Sequence, residues 1–478
     1  MRLLLINPPL FHPSAYSRYL EDEPVESAFA PIGLFSIGAV LEKDGHEIKI
    51  IDAYQYNWQQ LERQIRDFCP QIVGITTLSD QRGSLFKLIY LVKAIDKNIK
   101  VILGGPHATL MYEQILTNFP VDGVIIGEGE DTMRELVNTW QNQGEIGKIK
   151  GIAYLHNQKV ITTEERESIS DLDSLPFPAF HFMDFNMYTG GYLLREIAEI
   201  NGINYKDLRT GYLITSRGCP FRCEFCSVNK IWRSKWRARS ASSIMKEIEW
   251  LYNDYNCNTF AFIDDIFSVD QKRVIELSKM LIEKKLNILF WGFQTGVKFV
   301  SEEMLKIAYE AGCRFIGFGI ESGSTDVLKN VTQKIPSRDE MVNVLKFTKK
   351  IGITTGAFLM VGNPGENKQS INETIKLLQE TRPDIIQLQI AMVFPGTGLY
   401  ERAKKYNFMD DSFWLSDKLA PYYTCETDLK KLIQWHRKIK YYSDGNLKRT
   451  LQGIRDVIEL HTGLKITKRG IKKVKIPV

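Results

Sequence analysis

The sequence predicts an α/β protein: a doubly wound, Rossmann-like domain, then a partial (β/α)6 barrel of the TIM type, then a small helical C-terminal region. Three observations predict it. At 478 residues the chain is too long for one ordinary hydrophobic core. From residue 1 to about residue 140, short apolar runs alternate with amphipathic helical stretches, the pattern of a parallel sheet covered by helices. A second rhythm of the same kind starts at Tyr212 and runs to about Tyr400.

In the first stretch the strands are read at residues 3–6, 48–51, 72–76, 101–103 and 121–126, with helical spacing of apolar residues between them, as in 85–95. In such sheets ligands bind in the crevice beyond the carboxyl ends of the strands. The loops there are Asn7-Pro8-Pro9, Thr76-Thr77-Leu78-Ser79, Gly104-Gly105-Pro106-His107 and Gly127-Glu128-Gly129-Glu130. Paired glycines let backbone approach a bulky ligand, although turns in any α/β protein also use glycine. Residues 146–210 lose the rhythm, and 171–178, with two prolines, reads as a linker.

The second stretch places strands at 212–215, 259–263, 289–292, 315–320, 355–361 and 385–392, with helices such as 241–252 and 339–351 between them. Six alternations suit a partial barrel, whose active residues gather at strand ends. Beyond Tyr400 the chain is aromatic and helical, 429–442 being the clearest helix. The aromatic residues Phe413, Trp414, Tyr422, Tyr423 and Trp435 either close a pocket or pack in a core, the commoner role. The expected domains are 1–145, a linker 146–210, a barrel 211–400 and a C-terminal region 401–478.

A chain that is 44% hydrophobic and 25% charged is globular rather than disordered. The opening Met-Arg-Leu-Leu-Leu-Ile-Asn has too short an apolar run for a signal peptide, and no stretch reaches the roughly 18 apolar residues of a membrane span. A cytoplasmic protein is expected. Seven cysteines in such a chain are not a disulfide framework, so clustered ones read as metal ligands. Cys69, Cys257, Cys313 and Cys425 stand alone and read as small buried hydrophobes. The net charge of +5 speaks weakly for any polyanion. Lys465, Lys468, Arg469, Lys472, Lys473 and Lys475 crowd the tail. A solvated end is the plainer reading; the alternative is contact with a membrane surface, and no nucleic-acid partner is expected.

The chemistry centres on Thr215-Ser216-Arg217-Gly218-Cys219-Pro220-Phe221-Arg222-Cys223-Glu224-Phe225-Cys226, directly after the first barrel strand. Three thiolates at this spacing can bind three irons of a cubane [4Fe-4S] cluster. The fourth iron is left open, and an open metal site can be chelated by a small molecule such as S-adenosylmethionine (SAM). The rival is a zinc site, which usually needs four Cys or His ligands in paired spacing; no fourth cysteine lies nearby. At these residues the chain resembles the radical SAM superfamily, whose signature is CxxxCxxC with an aromatic before the last cysteine, here Phe225. Further resemblance lies in Phe262-Ile263-Asp264-Asp265-Ile266-Phe267, Gly319-Ile320-Glu321-Ser322-Gly323-Ser324 and Val361-Gly362-Asn363-Pro364-Gly365-Glu366. It implies a [4Fe-4S] cluster on Cys219, Cys223 and Cys226, and SAM contacts from Phe225, Glu321, Ser322 and Gly362. Asp264 and Asp265 either cap the next helix or serve the site. Where relatives often carry an arginine this chain has Gly296, which leaves Gln294 or Lys298 for the SAM carboxylate.

A doubly wound domain ahead of such a barrel resembles the cobalamin-binding subfamily, with Gly104-Gly105-Pro106-His107 and Gly127-Glu128-Gly129-Glu130 as matches. The histidine-ligating signature Asp-x-His-x-x-Gly is absent, since Asp44-Gly45-His46 lacks its glycine and runs into a strand. Many members lack that histidine, so the resemblance still implies cobalamin, held along Thr76, Thr77, Leu78, Gly104, Gly105 and Glu128. The implied activity is cobalamin-dependent methylation of an unactivated carbon in a small-molecule or lipid substrate, with flavodoxin or ferredoxin as electron donor. Cyclisation, ring contraction or rearrangement is the enzymatic alternative. A non-catalytic cobalamin sensor or carrier is the alternative of another class, and a methylthiotransferase would need N-terminal cysteines beyond Cys69.

Overall fold

Strands that are apolar at every position, rather than at alternate ones, are built to be covered on both faces. In the computed structural model, which describes residues 1–9, 30–188, 190–332, 336–444, 464–467 and 470–473, the parallel strands sit that way. Leu3, Leu4, Leu5 and Ile6 of β1 (Arg2–Asn7) are all buried. The chain divides into two units: Met1–Tyr188 with Lys230–Trp232 and Met409–Ala420, and the remainder.

In the first unit, β1, β2 (Glu47–Asp52), β3 (Ile72–Thr76), β4 (Lys100–Gly104) and β5 (Gly123–Ile125) are parallel in the order 2-1-3-4-5. Each matches an expected strand to within two residues. The reversal between β1 and β3 is the switch point at which doubly wound sheets bind ligands. Helices Ile32–Lys43 and Glu130–Gln141 bury Leu34, Leu41, Met133, Leu136 and Val137 against Leu3, Leu5, Ile72 and Ile102.

Residues 146–210 hold more regular structure than a connector. β6 (Ile152–His156) and β7 (Lys159–Thr162) form an antiparallel hairpin on the edge of this sheet. Its two turn residues, Asn157 and Gln158, both take left-handed backbone, at φ 46° and 61°, as a tight hairpin turn requires. Helix Gly191–Ile200 belongs to the second unit, where Leu194 and Ile197 pack on Phe290, Phe315 and Ile385 near the amino ends of three strands.

The second unit is a six-stranded parallel sheet in chain order: β8 (Thr210–Leu213), then, after a two-residue ribbon of β9 (Ser216–Arg217) and β10 (Arg237–Ala238), β11 (Thr259–Phe262), β12 (Phe290–Thr295), β13 (Cys313–Glu321), β14 (Thr354–Val361) and β15 (Ile385–Ile390). All six expected strands are present. Five of the helices between them start where a side chain accepts from the first free N–H groups, at Ser240, Asp270, Ser301, Ser337 and Asn367.

The C-terminal region contains helices Gly398–Lys405 and Leu429–Asp444, but its last described piece is an antiparallel pair, β16 (Leu464–Thr467) and β17 (Gly470–Lys473). The apolar-polar alternation of Leu-Lys-Ile-Thr accounts for it. Of the basic tail, Lys468, Arg469 and Lys475 lie outside the described residues, and for Lys465, Lys472 and Lys473 only the backbone is described. Trp414, Tyr423 and Trp435 are buried packing residues. No helix among the described residues is long and apolar enough to cross a membrane. Cys257 and Cys313 are buried as expected, and burial pushes their thiols up to about 12. Cys69 corrects that expectation: it is exposed, in left-handed backbone at the end of helix Trp58–Phe68, with its thiol on the Arg66 carbonyl. Cys425 is half-buried.

Candidate active site

The three-cysteine loop leaves β8 and is fastened at its root. The buried Asp264 carboxylate, just past β11, accepts from the Thr215 N–H and the Thr215 hydroxyl, both at 3.0 Å, and from the Ser216 hydroxyl. Arg273 faces it, donating to the carbonyls of Thr215 (3.0 Å) and Phe267 (2.6 Å) while lying over the Trp236 and Phe267 rings. Burial pushes the Asp264 carboxyl up and the Arg273 guanidinium down, each opposed by the other's charge. A second buried pair, Arg239 with Glu247, adds the Arg239 N–H to the Thr215 carbonyl at 2.9 Å. Asp264 is therefore no helix cap, a place taken by Asp270.

The far side of the loop is held by Glu224. Its N–H donates to the Val331 carbonyl and its carbonyl accepts from the Leu399 N–H, both at 2.9 Å; its carboxylate pairs with Arg402 at 3.2 Å. A Cβ on Gly398 would collide with that carboxylate. Sequence reasoning missed Glu224, although it is the one acid between the cysteines.

Between these anchors, Cys219 and Cys223 are buried and Cys226 is half-buried, as is Phe225. The Cys223 sulfur lies 3.2 Å from the Thr332 hydroxyl. Burial, with Cys223, Asp265 and Cys219 adding charge nearby, pushes the Cys226 thiol up to about 12 against one N–H bond from Val228. A bound cation reverses that balance, because it takes the proton's place on sulfur. Among the described residues no three His, Cys, Asp or Glu side chains are placed to hold a metal ion; a cubane asks each thiolate for a different iron and needs no common point.

Of the residues expected to contact SAM, Glu321 ends β13 in a bulge. The pairing with β14 shifts between Gly319 and Glu321, and Glu321 sits in left-handed backbone at φ 61°. Bulges re-aim side chains, and such backbone in a non-glycine residue marks functional sites. Ser322 faces elsewhere: it is buried, with its hydroxyl 3.5 Å from that of Thr374 in helix Lys368–Thr381. Gly362, at φ 95°, donates its N–H to Glu366 at 2.6 Å, and burial pushes the Glu366 carboxyl up to about 7 against the Gly362 and Asn363 N–H groups. Gln294 is exposed, with its amide on the Asp264 carbonyl at 3.1 Å, and Lys298 is exposed.

In the first unit Thr76 and Gly104 are register partners, so Thr76, Thr77, Leu78, Gly104 and Gly105 meet at the carboxyl edge of the sheet. Gly105 must be glycine: it sits at φ 88°, and a Cβ would lie 2.8 Å from both the Thr76 hydroxyl and the Thr77 nitrogen. The Thr77 hydroxyl is buried without a hydrogen-bond partner among the described residues, while Leu78 is 52% exposed. Behind them Asp52 accepts from Asn7 at 3.1 Å and from the Tyr188 hydroxyl at 3.0 Å, and burial pushes its carboxyl up to about 6. Glu128, past β5, accepts the Ile169 N–H at 2.8 Å. His46 lies at the opposite, amino edge, with its ring 3.4 Å from the Met1 amino group, so it is ordinary turn structure.

Comparison with known proteins fits both edges. Residues 23–137 match the B12 binding domain model and residues 213–378 the radical SAM superfamily model. An uncharacterized methyltransferase of Pyrococcus horikoshii is 30% identical over 417 residues, covering 87% of this chain and 85% of its own. The anaerobic magnesium-protoporphyrin IX monomethyl ester cyclase of Rubrivivax gelatinosus is 27% identical, covering 86% and 73%. The radical SAM methyltransferase TsrM of Kitasatospora setae, solved with cobalamin and a [4Fe-4S] cluster, matches in fold with a TM-score of 0.68 at 18% identity, over 85% and 75% of the two chains. With three cysteines on the first barrel strand's loop and a doubly wound domain before it, the chain belongs to the radical SAM superfamily, in the group that carries a B12 binding domain.

Proposed function

We propose that the protein reductively cleaves SAM at a [4Fe-4S] cluster on Cys219, Cys223 and Cys226 and methylates an unactivated carbon of a small-molecule or lipid substrate with the help of cobalamin. The observation that carries this reading is the similarity to an uncharacterized methyltransferase over 87% of this chain, combined with a cysteine loop fastened on both sides. Bound together, cluster and SAM supply a 5′-deoxyadenosyl radical, and cobalamin a methyl group.

The chain's own residues do the positioning. Asp264 and Glu224 fix the two sides of the loop that presents the thiolates. Glu321, re-aimed by its bulge, and the glycine backbone at Gly362 are the proposed SAM contacts, with Phe225 beside the last cysteine. Ser322 would contribute only through its backbone, since its hydroxyl faces Thr374. The first unit's edge fits cobalamin on its own features. Side-chain-free backbone at Gly104 and Gly105 admits a large flat ring, the exposed Leu78 offers it an apolar contact, and the buried Thr77 hydroxyl has a bond to give. Glu128 would act by holding the Ile169 segment. A cytoplasmic setting, with flavodoxin or ferredoxin as donor, suits seven cysteines that all carry free thiols.

Cyclisation is the second reading, favoured by the similarity to the cyclase. Anaerobically reconstituted protein with SAM and titanium(III) citrate is expected to release 5′-deoxyadenosine, and protein purified with hydroxocobalamin to keep a corrinoid spectrum. Product mass then separates the chemistries: a gain of one methylene unit means methylation, and an unchanged or reduced mass means cyclisation or rearrangement. No 5′-deoxyadenosine from a fully loaded cluster refutes both.

A further inference from the structure

The stretch from Arg217 to Arg239 holds seven basic residues against one acid, Glu224, a local excess of six in a chain whose overall excess is five. The fold withdraws one of these cations, Arg239, into its buried pair with Glu247 and leaves three others at the surface. Arg217 and Arg237 are directly opposite one another on the β9–β10 ribbon, a like-charge pairing that costs stability in an antiparallel ladder. Arg222, Arg233 and Lys235 are exposed.

Three hydrogen bonds bolt the exposed cations to the cysteine loop. The Asn229 amide donates to the Cys226 carbonyl at 3.0 Å, the Ser234 N–H donates to the Asn229 carbonyl at 3.2 Å, and the Arg222 Nε donates to the Ser234 hydroxyl at 3.2 Å. Arg222, which adjoins Cys223 in the chain, is thereby brought beside the Arg233–Lys235 turn. That turn is held in left-handed backbone at two consecutive non-glycine residues, Arg233 at φ 54° and Ser234 at φ 56°, a conformation of the kind that persists where its surroundings enforce it.

We propose that Arg222, Arg233 and Lys235 form the docking surface for an acidic one-electron carrier protein that reduces the cluster. The proposal rests on the reading of the cysteine loop as a [4Fe-4S] site. Such a site must receive one electron per SAM cleaved: the reduced carrier loses one electron, the oxidised cluster gains it, and no proton or atom is transferred. Clustered positive charge steers an acidic partner to its encounter and fixes its orientation. These three cations are exposed; Arg222 is bonded to the turn that carries the other two, and that turn is bonded through Asn229 to the loop that presents the thiolates.

The test uses the full chain and a bacterial flavodoxin. Binding of oxidised flavodoxin, followed by calorimetry, should be strong at low salt and weaken as salt rises. Lys235→Glu, and the pair Arg233→Glu with Lys235→Glu, should weaken it about tenfold or more at low salt and flatten its salt dependence. Stopped-flow bleaching of the cluster's visible absorbance, before SAM is added, should slow by a similar factor with reduced flavodoxin. With titanium(III) citrate the same variants should bleach at the native rate. Flavodoxin binding and bleaching unchanged in the double variant would overturn the proposal. Equal slowing with both reductants would overturn it too, assigning these cations to the fold or to an anionic substrate. Absence of any bleachable cluster sinks the cofactor reading instead, and is told apart by iron and sulfide content.

Discussion

Replacing Asp264 tests the architecture beneath the chemistry. In Asp264→Ala three donors at the root of the cysteine loop lose their acceptor, the Thr215 N–H, the Thr215 hydroxyl and the Ser216 hydroxyl, and Arg273 is left buried without the stronger of its two acidic neighbours, Asp270 being the other. A hydrogen bond to a charged acceptor contributes about 1.5–3 kcal/mol. Removing one partner of a buried ion pair costs about 3–5 kcal/mol. The terms share the same carboxylate and do not add, so the larger one sets the scale: roughly 3–5 kcal/mol of the second unit's stability, or about 6–20 °C in its melting temperature. Ser216→Ala removes one of these donors and should cost about 1.5–3 kcal/mol. Asp264→Asn keeps the shape and one acceptor and should fall between the two. The assays are thermal unfolding of the metal-free protein, then iron content and visible absorbance after reconstitution, with Asp264→Ala expected to load little cluster. An Asp264→Ala protein that melts within a degree or two of the native one and loads a full cluster would falsify the clamp.

Two further perturbations read the strand ends directly. Gly105→Ala places a methyl group against the Thr76 hydroxyl and the Thr77 nitrogen in left-handed backbone; it should abolish corrinoid retention while cluster absorbance stays within about 20% of native, since strain at such a site is local and on the order of 1–3 kcal/mol. Glu366 should make stability fall as pH rises. Its folded carboxyl lies at about 7 against an ordinary 4.5, so the folded state keeps a proton that the unfolded state gives up across that window. The native melting temperature should therefore decline between about pH 5 and pH 8 more steeply than that of Glu366→Gln, and identical slopes would show that Glu366 is solvated.

Eleven strand positions were legible because parallel strands covered on both faces read as mainly apolar runs, unbroken in Leu3 to Ile6 and broken by one or two polar residues in others, such as Lys49 and Gln389. The cysteine loop was legible because its ligands are adjacent in the chain. What stayed hidden depended on partners distant in sequence or on backbone. Asp264 reads from its neighbours equally as a helix cap or a site residue, since nothing local announces that its carboxylate accepts from Thr215, 49 positions away. The Ser322 hydroxyl is turned to Thr374 by the close approach of Gly323 to that helix, where a Cβ would lie 2.5 Å from the Thr374 Cα. The β6–β7 hairpin escaped because Asn157-Gln158 supplies its turn without the glycine that usually marks one.

The carboxylates behind these edges explain what kind of structure they are. Asp52, Asp264 and Glu366 all have raised carboxyl pKa values from burial, and each accepts hydrogen bonds from residues at a strand end: Asn7, Thr215 and Ser216, and Gly362. A buried carboxylate is a poor way to stabilise a fold, because well-packed apolar residues in its place are often as stable or more so. It does something that an apolar residue does not: it fixes the direction in which particular N–H and hydroxyl groups point, and with them the course of the loop they belong to. That is the property needed where a backbone must stand at a set distance from a bulky cofactor and a reactive carbon radical must meet one target and no other. Direction of the strand-end groups is what these three side chains add to the stability that an apolar residue could also give.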